Sequence, residues 1–123
     1  MSVLAHPAHA APLEALRHAA EQACTLMKVL GNPDRLMLLC ELAQGERSVS
    51  QLQEALGIVQ PTLSQQLAVL REEGLVETRR EGKAIHYRLV SPQALAVMTV
   101  LYQQFCAPAR RTPTRTLTSR SRA

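Results

Sequence analysis

The chain has 123 residues, enough for one domain with a modest core. Its formal charge of +4 comes from 14 basic and 10 acidic residues, but Arg110, Arg111, Arg115, Arg120 and Arg122 all follow Cys106 with no acid among them. Without these five, nine basic residues face ten acidic ones, so a globally basic surface is excluded as the basis of any nucleic-acid reading. Tyr87, Tyr102 and Phe105 are the only aromatic residues, which argues against stacking on single-stranded bases. No run of about 18 apolar residues occurs, so no membrane span and no membrane partner are expected. Met1–Pro12 lacks the basic-then-apolar order of a secretory signal. A cytoplasmic protein is the expectation.

Residues 1–12, rich in Ala, Pro and His, are expected to be a disordered N-terminus. Leu13, Leu16, Ala20, Ala23, Met27 and Leu30 recur at three- and four-residue steps, which predicts an amphipathic helix ending at Gly31. Asn32 caps the next helix, with Pro33 at its first position and Asp34 near its positive end. Leu36, Leu39, Leu42 and Ala43 mark its apolar side, and Gly45 closes it. Arg47–Val49 suits a short strand against a later hairpin. Ser50, with Gln53 three residues on, reads as a capping box for a helix to Leu56 that Gly57 ends. A further helix starts near Gln60–Pro61 and runs to about Glu73 before Gly74 stops it.

Leu75–Arg79 and Ile85–Leu89 then flank Arg80-Glu81-Gly82-Lys83. Val76 and Thr78, with Ile85, Tyr87 and Leu89, alternate with polar residues as a one-sided hairpin requires. Ser91-Pro92 repeats the cap-plus-proline start, and Leu95, Met98, Leu101, Tyr102 and Phe105 predict a last amphipathic helix. Residues 107–123, rich in Pro, Thr, Ser and Arg, have the composition of a flexible, Arg-rich tail. The expected fold is mainly α with a small β-hairpin. It is a winged helix-turn-helix of about five helices plus a two-stranded wing, filling residues 13–106.

This order offers duplex DNA one polar helix and one cationic loop. Leu63, Leu67 and Leu70 must face a core, which turns Gln60, Thr62, Ser64, Gln65 and Gln66 outward. Glutamine suits the N6/N7 edge of adenine, the Thr methyl suits that of thymine, and hydroxyls reach phosphates. The alternative is an ordinary solvated face, where Lys and Glu would be expected instead. In the wing, Arg79, Arg80, Lys83 and Arg88 stand against Glu77 and Glu81, and Arg79, Arg80 and Lys83 are the expected phosphate contacts. The first and last helices are more apolar than a trihelical core can cover. Pairing them across a two-fold axis gives a homodimer suited to palindromic half-sites about 34–36 Å apart; packing on their own domain is the alternative. The expected partners are double-stranded operator DNA and a second copy of the chain.

Three cysteines in a reducing cytoplasm are seldom structural disulfides. Cys24 reads as a small buried apolar residue. By pattern alone Cys40 and Cys106 fit either a helix core or a pair of sensor thiols. Cys40 has no second Cys within a helical turn, and Ala94–Cys106 contains no His, Asp or Glu. His6, His9 and His18 lie in or near the N-terminus and His86 in the hairpin, a poor basis for a four-ligand zinc site. No metal or cofactor is expected, although a metalloid held by Cys40, Cys106 and Cys24 stays open. An enzyme is not expected either. Cys106 lies at a helix C-terminus, whose partial negative charge opposes a thiolate, and no Cys-x-x-Cys or glycine-rich phosphate loop occurs.

Val29-Leu-Gly-Asn-Pro-Asp-Arg-Leu36, Ser50-Gln-Leu-Gln-Glu-Ala-Leu-Gly57, Gln60-Pro-Thr-Leu-Ser-Gln-Gln-Leu67, Leu70-Arg-Glu-Glu-Gly-Leu-Val76 and the Arg79–Leu89 wing together resemble the ArsR family of bacterial repressors. The resemblance covers roughly residues 20–106. It implies a homodimeric winged-helix repressor that leaves its operator when an inducer binds. One departure is informative: the family's common Ser-x-His-Leu is Ser64-Gln65-Gln66-Leu67 here. That form, together with Cys40 and Cys106, is similar to the family's sulfide- and persulfide-sensing branch. The resemblance thus implies that Cys40 and Cys106 are the reactive pair, with reactive sulfur species (persulfide or polysulfide) or oxidation as inducer. A metal- or metalloid-responsive repressor using cysteine thiolates is the alternative within the family.

Overall fold

The computed structural model describes residues 12–106. The expected disordered N-terminus, apart from Pro12, and the expected Arg-rich tail lie outside the described residues. Helices α1 (Leu13–Leu30) and α2 (Pro33–Leu42) lead to strand β1 (Arg47–Ser48). Helices α3 (Val49–Leu56) and α4 (Thr62–Glu72) form the helix-turn-helix. Strands β2 (Val76–Glu81) and β3 (Ala84–Leu89) form the wing, and α5 (Pro92–Leu101) runs into a π-helical turn, Tyr102–Cys106. The protein is a winged helix-turn-helix, as its residue pattern predicts.

α2 is the hub, touching α1, α3, α4, α5 and β3. That position explains one departure from its expected apolar side. Leu38 is fully enclosed beside Leu39, whereas Leu36 is only half-buried, because neighbours surround α2 on more than one face. Leu52 from α3, Leu63, Leu67 and Leu70 from α4, Val76 from β2, and Ala94 and Met98 from α5 complete the core. Enclosing each large side chain stabilises the fold by roughly 1.5–3 kcal/mol, before the entropy of ordering the chain is set against it.

The short strand expected near Arg47–Val49 is present as β1 and pairs antiparallel with β3, Arg47 opposite Tyr87 and Ser48 opposite His86. The wing is therefore the outer hairpin of a three-stranded sheet ordered β1-β3-β2. β1 also corrects the capping box. Two overlapping Ser-x-x-Gln patterns occur here, and it is Ser48 rather than Ser50 that caps α3. The Gln51 amide donates to Ser48 Oγ at 3.1 Å, and the Ser48 amide donates to Gln51 Oε1 at 2.8 Å. Ser48 ends the strand with extended backbone, the conformation an N-cap needs, whereas Ser50 is already inside the helix. Gly57 ends α3 in the left-handed region at φ 71°.

In the hairpin, strand pairing extends through Glu81 opposite Ala84, so the connection shortens from four residues to Gly82-Lys83. Gly82 turns the chain at φ 63°, the positive value that a two-residue hairpin requires. In the last helix the expected single apolar stripe divides. Ala94 and Met98 point into the core, while Leu95, Tyr102 and Phe105 are exposed. The π-helical turn contributes, since widening the backbone after Leu101 rotates later residues off the 3.6-residue period. Cys24 is also corrected: α1 meets the domain through Leu26, Val29 and Leu30 near its C-terminal end, which leaves Cys24 exposed rather than buried.

Candidate DNA interface and thiol pair

α4 stands on three enclosed leucines, Leu63, Leu67 and Leu70, spaced so that its other side faces away from the core. Among the five outward residues expected to read DNA, Gln60, Ser64 and Gln65 are exposed, while Thr62 and Gln66 are half-buried. Their roles differ. Pro61 occupies the cap position of α4 without a side-chain cap bond. Gln60 takes over that task, its Oε1 accepting from the Ser64 amide at 3.0 Å and from Ser64 Oγ at 2.7 Å. Gln66 Oε1 accepts from Arg35 Nη1 at 2.9 Å. Gln65 is thus the glutamine whose amide is exposed and uncommitted among the described residues.

The wing cations separate in the same way. Arg79 grips Glu46, just before β1, with Nη2 to Oε1 at 2.8 Å and Nε to Oε2 at 3.2 Å. A weaker contact of Arg79 reaches Glu81 at 3.4 Å. Hydrogen bonding from Arg79 holds the Glu46 carboxyl below its ordinary pKa and raises that of Arg79 in turn. Arg88 pairs with Glu77 at 2.8 Å. Arg80 and Lys83 are exposed and unpaired among the described residues. Arg79 therefore braces the wing against the β1 approach, while Arg80 and Lys83 present free charge near its tip. Exposed pairs of this kind contribute little to stability, so the role of the brace is geometric.

On α2, Cys40 is half-buried, and its thiol donates to Met98 Sδ at 3.7 Å. It lines an open groove of about 510 Å³ with Ala43, Gln44, Leu95, Met98, Thr99 and Tyr102. Burial pushes the Cys40 thiol up from its ordinary pKa, and the neighbouring Cys106 charge pushes it further. Cys106, 66 residues on in sequence, is exposed on the π-helical turn, two of whose residues, Tyr102 and Gln103, line the Cys40 groove. Neither Cys106 nor Cys24 is among the residues that line this groove. Among the described residues, no three His, Cys, Asp or Glu side chains cluster to hold a metal ion. His86 belongs to β3, with Nε2 3.5 Å from Glu81.

Sequence reasoning gave no role to three contributors. Arg35 and Glu46 act through contacts distant in sequence, and the pattern around Met98 marks only an apolar helix position. Arg35 lies in the Asn-Pro-Asp-Arg stretch that starts α2, but nothing local announces that it reaches α4.

A helix-turn-helix with an outward polar helix and a charged hairpin beside it defines a DNA-binding module of the winged type. Residues 32–78 match the family described as "Bacterial regulatory protein, arsR family". The biofilm growth-associated repressor of Agrobacterium fabrum is 55% identical over 97 residues, which are 79% of this chain and 83% of that protein. The crystal structure of the transcriptional repressor BigR from Xylella fastidiosa is similar at a TM-score of 0.73 and 49% identity, covering 80% of this chain and 100% of that one. Reduced HlyU from Vibrio cholerae reaches a TM-score of 0.74 at 37% identity, over 77% of this chain and 100% of that one. This chain belongs to the ArsR family of bacterial transcription regulators. No helix among the described residues is long and apolar enough to cross a membrane.

Proposed function

We propose that the protein is a homodimeric repressor that binds palindromic operator DNA and releases it when reactive sulfur bridges Cys40 and Cys106. The observation that carries this reading is the Cys40 groove, lined on one side by the hub helix and on the other by Tyr102 and Gln103 of the turn that carries Cys106. Its resemblance to the sulfur-sensing branch of the family supports the choice of inducer, and relatives named as repressors support the direction of control. Exposed Leu13, Leu16 and Met27 on α1, with Leu95, Val100 and Phe105 around α5, support the dimer, since a lone domain seldom leaves so many large apolar side chains in water.

With an organic trisulfide RSSSR the chemistry balances. One cysteine thiolate displaces RS⁻ from the central sulfur, leaving a protein trisulfide. The second thiolate attacks that same sulfur and displaces the other RS⁻. The product is a Cys40–S–S–S–Cys106 bridge, and the two cysteine protons leave with two RSH. The cysteines are oxidised and the outer sulfurs of the reagent are reduced. A direct disulfide needs Cα atoms within about 4.4–6.8 Å, and each inserted sulfur relaxes that limit by roughly 2 Å, so polysulfide bridges a pair that is too far apart for peroxide to couple directly. The bridge ties α2 to the C-terminal turn and so biases one arrangement of the dimer over another. Mass spectrometry of polysulfide-treated protein is the test. A Cys40–Cys106 crosslinked peptide carrying added sulfur is expected; modification of Cys24 alone, or retention of arsenite on three thiols without any crosslink by polysulfide, would contradict the proposal.

A further inference from the structure

Arg35 takes no part in the proposed base reading or in the thiol chemistry, yet its guanidinium makes a two-sided contact. Nε donates to the Val29 carbonyl at 2.7 Å and Nη2 to the Lys28 carbonyl at 3.4 Å, in the last turn of α1. Nη1 donates to Gln66 Oε1 at 2.9 Å, in the middle of α4. The Arg35 backbone is itself fixed, its amide donating to Asn32 Oδ1 at 3.0 Å. The Val29 carbonyl is among those a helix end leaves without an internal partner, whereas the Lys28 carbonyl also accepts from the Gly31 amide at 3.3 Å; a cation there complements the helix dipole. The planar fork of arginine spans both helices at once, a geometry that the point charge of lysine cannot reproduce.

We infer that Arg35 and Gln66 form a tie that sets the roll of α4 against α1, making Gln66 a positioning residue for the reading helix rather than a base reader. Bidentate reading of adenine needs both the oxygen and the nitrogen of the glutamine amide. With its oxygen drawn inward by Arg35, Gln66 offers a base edge only half of that pattern. Gln65, one position on and exposed, keeps both atoms. The tie also explains how a change on the α1 face reaches DNA: α1 carries part of the apolar face assigned to the dimer, and Arg35 is rooted in its final carbonyls. That consequence rests on the proposed DNA-binding function, whereas the tie itself exists in the DNA-free protein.

Two measurements decide the matter. In DNA-free protein, side-chain ¹⁵N NMR should show separate, slowly exchanging Nη resonances for Arg35. Gln66→Met should merge them, and Gln66→Glu, which keeps an acceptor, should retain them. A single averaged Nη signal in the parent protein overturns the inference. In operator titrations by fluorescence anisotropy, Gln66→Met should weaken binding about tenfold, the size of one lost charge-assisted hydrogen bond. In an Arg35→Lys background it should cost about twofold or less, because the partner is already gone. An undiminished loss in that background, or no loss in the parent, overturns the inference. If Arg35→Lys fails to fold by circular dichroism, the NMR result on the parent and the Gln66 variants decides. If the parent binds no operator, the proposed function fails, while the NMR result still judges the tie.

Discussion

On α4 the inward side chains are three enclosed leucines, and at its outer side polar groups are held by neighbours in the same chain, Gln60 by Ser64 and Gln66 by Arg35, with Gln65 left free. On α1 and the C-terminal turn the outward side chains are Leu13, Leu16, Met27 and Phe105, the last of them 81% exposed. The polar face is held in place by contacts within one chain, a preorganised surface for a rigid ligand such as duplex DNA. The apolar face is incomplete, and the proposed second copy supplies what it lacks. A substitution on the first face should therefore alter recognition, whereas one on the second should alter assembly.

The largest effect expected from breaking that division lies beneath the polar face. Leu67→Ala should lower the free energy of unfolding by about 2–5 kcal/mol in chemical denaturation, since Leu67 is fully enclosed under the reading helix. Phe105→Ser should leave the fold intact and shift sedimentation toward the monomer. A Leu67→Ala protein as stable as the parent, or a Phe105→Ser protein that unfolds, would reverse the assignment of core and interface.

Next in size is the reading itself. Gln65→Ala should weaken operator binding by roughly 1–3 kcal/mol while sparing random-sequence DNA, as expected for one lost bidentate base contact. Equal losses on both DNAs would make Gln65 a phosphate neighbour and leave base reading to other groups. In the wing, Arg80→Gln and Lys83→Gln should each flatten the salt dependence of binding by about 0.9 log unit, one phosphate contact apiece. Arg79→Gln should change the slope less, because Arg79 is committed to Glu46. Equal slopes for all three variants would mean that DNA pulls Arg79 from its brace.

The smallest effect concerns Cys40. Its raised pKa means less thiolate at neutral pH than an ordinary cysteine carries, and thiolate is the reactive form. Alkylation of Cys40 at pH 7 should therefore be slower than that of an unstructured cysteine peptide, and its rate should rise with pH over a higher range. Cys106→Ser should move that rise toward lower pH, because the Cys106 charge contributes to the shift. A Cys40 profile identical to the peptide's would show that neither burial nor Cys106 acts on it.

Element order, both proline-led helix starts and the three leucines of α4 were legible in the sequence because each is decided by neighbours within a few residues. What was not legible depends on long-range contact. The choice between Ser48 and Ser50 as cap required knowing that Ser48 ends a strand paired with β3. Nor could the reading helix alone show that Arg35 approaches Gln66 from 31 residues away. The apolar period of the last helix could not show that the backbone changes its winding after Leu101. Cys24 looked like core because its helix has an apolar stripe, but much of that stripe lies beyond the contact with α2.

The central claim, that a Cys40–Cys106 bridge separates the DNA-bound from the released state, is tested most directly by operator binding under polysulfide. Reduced parent protein, Cys40→Ser and Cys106→Ser should all bind the operator. On polysulfide treatment the parent and Cys24→Ser should release it, while Cys40→Ser and Cys106→Ser should stay bound. Release of DNA by both single-cysteine variants, as fully as by the parent, would contradict the dithiol switch.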